Sequence, residues 1–232
     1  MITLQDMTLR YGKREVIRDL SLTLQKGSTH GLVGLNGSGK TTLIRGLCRI
    51  KPLQRGQVTI EGQPLTLRDV AYLETSNFFY SRITGREYLS LFQQQYPRFS
   101  TDEWNELFGL PLDQYIEQYS TGMKKQLAFL GIIATDKPFL ILDEPFNGID
   151  LETTEKLKMI IRALREKGTT ILVTSHILES LTSLCDAISY LEDGKIQYTF
   201  SREEFTGMED KIFSTFRAEH EAVVKRLIDW RK

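Results

Sequence analysis

Residues 34–41 read GLNGSGKT, which matches the pattern G-x-x-x-x-G-K-[ST]. The types and their order describe a phosphate cradle. Gly34, Gly37 and Gly39 let the backbone wrap closely, so that the amide hydrogens of Asn36, Gly37, Ser38 and Gly39 converge on anionic oxygens. Lys40 adds a point charge beside the β and γ phosphates, and the Thr41 hydroxyl is suited to Mg2+. Thr42 continues the same helix start. Further along, FLILDEP ends an apolar run on two adjacent carboxylates, Asp143 and Glu144. An aspartate at such a strand end reaches the metal, and the next carboxylate can polarise a water for attack on the γ-phosphate.

A second anion site is written in YSTGMKKQL, Tyr119–Leu127. Ser120 or Thr121 can cap a helix of good formers, and a helix that opens with Ser-x-Gly presents backbone N–H groups to an anion. The chain then offers phosphate-binding donors in two places.

These groups need a scaffold, and the hydrophobic periodicity supplies one. Ile2, Leu4, Leu9 and Tyr11, then Val16, Leu20, Leu22 and Leu24, flank the turn YGKRE and predict two antiparallel strands. STHGLVG is a strand leading into the glycine loop, followed by a helix through TTLIRGLCRI and by the strands GQVTIEG and DVAYLE. Between Asn77 and Asp136 only helices are expected: TGREYLSLFQQQ, TDEWNELFG and GMKKQLAFLGIIA. Strand and helix alternate after that: FLILDE, LETTEKLKMIIRALREKG, TTILVTS, ILESLTSLC and AISYLE. Alternation of this kind predicts an α/β fold with a parallel sheet covered on both faces. The expected organisation is a parallel core sheet with an N-terminal antiparallel β subdomain (about residues 1–76 and 137–200), an inserted α-helical subdomain (about 77–136) and a tail (about 201–232) ending in the helix EHEAVVKRLIDWRK.

Bulk properties narrow the class. Among 232 residues, Lys+Arg and Asp+Glu both number 30, so the basic excess expected of a nucleic-acid binder is missing. Cys48 and Cys185 lie in apolar stretches and read as buried thiols. The longest apolar run, Leu127–Ala134, is far short of the roughly 20 residues a membrane span needs. The start of the chain lacks a signal-peptide core, so a soluble intracellular protein is expected, free to dock on a membrane protein.

Taken together, the glycine loop, the helical interval, YSTGMKKQL and FLILDEP resemble the ATP-binding cassette (ABC) ATPases over about residues 1–200. That resemblance implies a P-loop NTPase that binds ATP and Mg2+ and hydrolyses ATP. It implies adenine stacking on Tyr11 and ATP contacts from Gly34, Asn36, Gly37, Ser38, Gly39, Lys40, Thr41 and Thr42. The metal would be held by Thr41, Asp143 and Glu74, the last standing where most relatives have glutamine. Catalysis would fall to Glu144, His176 and Glu74, with His176 of TSHILES at the γ-phosphate. The family signature L-S-G-G-Q appears here as Y-S-T-G-M, keeping Ser120 and Gly122. Those two residues, with Asp150 of PFNGID, would touch ATP held by a partner subunit in a head-to-tail dimer. The S-T-G-M and Y-L-E forms resemble exporter-type members. The implied partners are a second copy or a second ABC subunit and integral membrane permease subunits, with no nucleic acid. The chain would then sit in the cytoplasm on the inner face of the membrane, docked through Phe78, Phe79, Tyr80 and Tyr88. The alternative is a non-transport ABC ATPase such as a cluster-assembly factor.

Overall fold

The computed structural model describes residues 1–229; the last three residues of the expected C-terminal helix lie outside the described residues. Two sheets share the chain. The first is antiparallel, with order β2-β1-β4-β5, built from β1 (Ile2–Tyr11), β2 (Arg14–Leu24), β4 (Arg55–Ile60) and β5 (Gln63–Pro64). The second has order β10-β9-β3-β8-β7-β6, from β3 (Thr29–Val33), β6 (Val70–Leu73), β7 (Phe139–Asp143), β8 (Thr170–Thr174), β9 (Ala187–Glu192) and β10 (Lys195–Ser201). Its strands run parallel from β9 to β6, and β10 returns antiparallel to β9.

The alternation in β1 and β2 has a direct cause. Ile2, Leu4, Met7, Leu9, Ile17, Leu20, Leu22 and Leu24 are buried, and the sheet lays this face on α1 (Lys40–Leu47) through Leu43, Ile44 and Leu47. Leu32, Phe139, Ile141 and Leu172 of the parallel strands close the same cluster, so α1 is packed between the two sheets. β3, β7 and β8 are buried at every position, as expected for central parallel strands covered on both sides.

The opposite face is covered by α5 (Leu151–Glu166), α6 (Leu178–Thr182) and the start of α7 (Phe205–Asp229) through Leu157, Ile161, Leu181, Met208 and Ile212. α7 therefore starts 14 residues before the helix expected from Glu219. Gly207 and the Ser and Thr residues weaken local helix propensity there, but burying Met208 and Ile212 on the sheet outweighs it.

The helices α2 (Gly85–Gln95), α3 (Thr101–Phe108) and α4 (Thr121–Ala134) pack around Leu89, Phe99, Leu110, Leu127 and Leu130. Thr84 opens α2 with a full capping box to Glu87, and Ser100 and Ser120 cap the next two helices. α4 also reaches the main core through Ala128 and Phe129, which fastens the helical layer to the sheet. Among the described residues no helix is long and apolar enough to cross a membrane. Cys48 and Cys185 are both free and buried, and burial pushes the Cys48 thiol up to about 12.

His30 in β3 is buried, its Nε2 2.9 Å from Ser189 Oγ, and desolvation lowers its pKa to about 4 although Asp186 opposes this. The folded chain keeps the imidazole neutral, whereas an unfolded histidine gains a proton below about pH 6.5. Stability contributed by neutral His30 is therefore complete above that value and falls with pH toward the folded pKa. About 2 kcal/mol should be lost between pH 7 and pH 5, read as a drop in urea midpoint that is smaller by that amount in His30→Gln.

Candidate functional site

The loop after β3 opens with Gly34, where an added Cβ would lie 2.4 Å from Leu191 O and 2.6 Å from Ser38 Oγ. Gly39, at φ 113°, caps α1 with no side-chain acceptor for its first turn, so an anion can take that place. Ser38 Oγ is buried inside the loop and without a hydrogen-bond partner. Lys40 folds back over the loop, Nζ donating to Gly34 O at 2.5 Å and to Leu35 O at 3.2 Å. Burial lowers its pKa from the ordinary lysine value, and the charges of Glu144 and Asp143 oppose that shift. From outside, the β9–β10 turn steadies the loop: Gly194 N–H donates to Ser38 O at 3.1 Å, and Gly194 O accepts Arg18 N–H at 3.0 Å.

One cavity is lined by Asn36, Gly37, Gly39, Lys40, Thr41 and Thr42 on one wall and by Thr75, Asp143 and Glu144 on the other, with Val16 at its edge. The parallel register brings the two walls together, since β3, β8 and β7 are neighbours and Asp143 pairs with Thr174 across β7 and β8. Asp143 is buried and accepts from Thr174 Oγ1 at 2.5 Å, Thr75 Oγ1 at 2.8 Å and Tyr72 OH at 3.3 Å. Burial, with Asp143 and Glu74 nearby, pushes the Tyr72 phenol above the usual tyrosine value.

Glu144 follows in the left-handed region at φ 52°, an expensive conformation for a side-chain-bearing residue and one often found at working sites. Its N–H donates to Thr174 Oγ1 at 3.0 Å, and its Oε2 accepts from His176 Nδ1 at 2.9 Å. Thr174 thus holds the Asp143 carboxylate and the Glu144 backbone at once. Local sequence carried no sign of this, because Thr174 reads there as an ordinary β-branched strand residue.

The expected site residues do not all stand at this cavity. Glu74 is exposed and does not line the cavity; its charge acts on Arg45, and the neighbouring Thr75 takes the place beside Asp143. β6 ends at Leu73, and the chain turns so that the second residue after the strand, not the first, faces the site. Tyr11 also stands outside the cavity lining. Its OH accepts from Arg45 at 3.3 Å and Lys51 Nζ lies 3.9 Å over its ring, so one aromatic face already carries a cation, while Val16 is the hairpin residue at the cavity. His176 bonds to Glu144 at the flank of the loop, where it lines a neighbouring cavity with Asn36 and Leu178.

Ser120 and Gly122 are not brought to Lys40. They form the N-terminus of α4, Ser120 Oγ accepting Met123 N–H at 3.2 Å, with no acidic residue in the first turn. Asp150 caps α5: its oxygens accept Thr153 N–H at 2.8 Å and Thr153 Oγ1 at 2.9 Å, and these bonds lower its pKa. Both oxygens are thereby used within the chain. Phe79 packs edge-on to Tyr88 at 5.1 Å, whereas Phe78 and Tyr80 are 81% and 70% exposed and pair edge-to-face at 5.6 Å. Two of the four aromatics therefore belong to the core and two to the surface.

With the geometry in place, likeness to known proteins can be set beside it. The family model described as ABC transporter matches residues 17–147, more than half of the chain. The chain is 32% identical to the ABC transporter ATP-binding protein YtrB of Bacillus subtilis (strain 168), over 93% of this chain and 77% of YtrB. It is 30% identical to the bacitracin transport ATP-binding protein BcrA of Bacillus licheniformis, over 84% of this chain and 68% of BcrA. A solved ATP binding subunit of an ABC transporter superposes with TM-score 0.80 at 26% identity, covering 93% of both chains. The ATP-binding cassette MJ0796, solved as a dimer bound to ADP and Pi, shares the fold with TM-score 0.76 at 20% identity, over 87% of this chain and 99% of that one.

Thr174→Val removes the donor to Asp143 and the acceptor of Glu144 N–H while keeping the shape. Unfolding free energy should fall by about 1–3 kcal/mol, and nucleotide turnover per folded molecule should fall with it, while Thr174→Ser keeps both. Urea titration together with a phosphate-release assay reads the two effects.

Proposed function

The chain belongs to the ABC transporter family as an ATP-binding subunit, and on that premise we propose that it hydrolyses ATP, with Mg2+, as one half of a head-to-tail pair that drives a separate membrane permease. The observation that carries the reading is the cavity where the Lys40 loop faces Asp143 and Glu144. Its residues suit a triphosphate: N–H groups at the start of α1 and an ammonium now resting on two loop carbonyls that can turn to phosphate oxygens.

They also fit the metal. Among the described residues no group of three or more His, Cys, Asp and Glu side chains could hold an ion alone, which suits Mg2+, a cation bound by few protein oxygens and completed by substrate phosphates. Thr41 and Asp143 would hold it, and bound there it would neutralise charge developing on the phosphate oxygens. Thr75, Tyr72 and Thr174 keep the Asp143 carboxylate aimed at that position. Glu144 orients the attacking water and accepts its proton, while His176 holds the carboxylate and can follow it to the γ-phosphate. Adenine would lie against Val16 at the cavity edge, with the exposed Tyr11 beyond that lining.

Ser120 and Gly122 stand away from their own chain's loop, on an exposed helix N-terminus, and we assign them to the ATP of a partner subunit. The partner is a second copy or another ABC subunit. The exporting direction rests on the S-T-G-M form, and the likeness to a protein named for bacitracin transport supports a transport role. Docking to the permease would use the exposed pair Phe78 and Tyr80, beside Glu117 and Lys124, and would hold the chain on the cytoplasmic face of the membrane.

Glu144→Gln should bind ATP but lose more than 100-fold in turnover, trapping an ATP-dependent dimer on size exclusion. Adding Gly122→Asp should abolish that dimer and leave binding of ATP to the monomer within about twofold. A Glu144→Gln variant with full turnover would remove this residue from the base role. Separately, Phe78→Ser with Tyr80→Ser should reduce co-purification with a permease without changing ATP affinity; unchanged association would move the docking face elsewhere.

A further inference from the structure

α4 is apolar along most of its length, yet its second turn buries two polar side chains in succession: Lys125 at 4% and Gln126 at 8% exposure. A buried ammonium is costly unless it finds acceptors, so its partners show what it holds. Lys125 Nζ donates to Glu144 O at 2.8 Å and to Asn147 O at 2.9 Å. Glu144 O also accepts Asn147 N–H at 3.2 Å, so the ammonium sits on the turn that fixes Glu144 in its left-handed conformation. Burial lowers the Lys125 pKa, and the charges of Glu144 and Asp143 oppose this.

Gln126 grips the far end of the same segment. Its Nε2 donates to Thr153 Oγ1 at 2.9 Å, and that hydroxyl donates to Asp150. Between these two attachments, the space beside Gly122 is closed by Gly148 O, 3.5 Å from where a Cβ would stand, and by Ile149. The stretch from Glu144 to Thr153 is therefore bound to α4 at both ends and packed against its first turn. Ser120 and Gly122 precede Lys125 by about one helical turn, roughly 5 Å along the axis. A shift of the helix N-terminus is carried to the Glu144 carbonyl through the buried ammonium that joins helix and turn.

We propose that Lys125 is a positioning residue that sets Glu144 according to the engagement of its own helix. When Ser120 and Gly122 of one chain close on the partner's ATP, Lys125 draws the Glu144–Asn147 turn of that same chain into register for hydrolysis. The inference rests on the head-to-tail ATPase reading above. It adds a connection within each chain, from its contact on the partner's nucleotide to its own hydrolytic carboxylate. Two such connections in a dimer make the sites reciprocal, so that occupancy of one promotes turnover at the other.

The experiment is Lys125→Met in the full chain, with Lys125→Arg as the conservative variant and Lys125→Gln in place of Met should the methionine variant prove insoluble. kcat, KM and the Hill coefficient for ATP are measured beside the affinity for a fluorescent ATP analogue, the melting temperature and dimerisation in a Glu144→Gln background. We expect kcat to fall 10–100-fold and the Hill coefficient to drop toward one. KM and analogue affinity should stay within threefold, the ATP-trapped dimer should still form, and Arg should restore at least part of kcat. Wild-type kcat and Hill coefficient in Lys125→Met would overturn the proposal. So would a fall in kcat matched by equal losses of ATP affinity and melting temperature with no recovery in the arginine variant, the pattern of a residue that only supports the fold. A wild-type chain that neither turns over ATP nor dimerises would instead sink the ATPase reading on which the proposal stands.

Discussion

Thr174 Oγ1 donates to Asp143 and accepts the N–H of Glu144, and this single hydroxyl fixes two adjacent acidic residues, one by its carboxylate and the other by its backbone. The first is kept inward among hydroxyls; the second is held in a left-handed turn with its side chain toward His176. Both depend on the register of β7 against β8, where Asp143 lies opposite Thr174. A slip of one residue would turn the hydroxyl to the other face of the sheet and leave a buried carboxylate short of a donor. The register of β7 on β8 is thus a condition of the arrangement of both carboxylates as well as of stability.

α4 is the second organising element. It helps build the helical layer through Leu127 and Leu130, and it reaches the main core through Ala128 and Phe129. Its polar side chains Lys125 and Gln126 do not face water but close on the segment that follows β7. One helix therefore carries an exposed end capped by Ser120, a buried electrostatic grip on Glu144 and the apolar surface joining two layers. Moving it as a rigid body would affect all three, which makes it a natural carrier of force between sites.

The fold was legible in the chain where periodicity was strong. Alternation in β1 and β2, apolar strands ending at Asp143 and Thr174, and capped amphipathic helices left little choice of class. The tail was less legible, because Gly207 and hydroxyl residues obscure a helix that only the burial of Met208 and Ile212 sustains. Within the site, the glycine loop could be read residue by residue, since all its groups come from one short segment. Glu74 could not: whether it or Thr75 faces Asp143 depends on how the chain leaves β6, and no local pattern records that turn. Tyr11 likewise depends on Arg45 and Lys51, residues of a different element that hold its ring to one side. Lys125 read only as a good helix former, because the acceptors that hold it are backbone carbonyls, which have no signature in a sequence.

By itself, then, the sequence determined the α/β class, the phosphate loop with Lys40 and Thr41, the paired carboxylates and the helix start at Ser120. These depend on spacing within single segments and on the periodicity of one element at a time. Only the tertiary structure decided which hydroxyls hold Asp143, that Thr75 displaces Glu74 from the cavity, and that Lys125 ties α4 to Glu144. Each of those joins groups on separate strands and helices. Such contacts form only where parallel pairing and helix packing bring the elements within hydrogen-bond reach, and no local rule of propensity contains that distance.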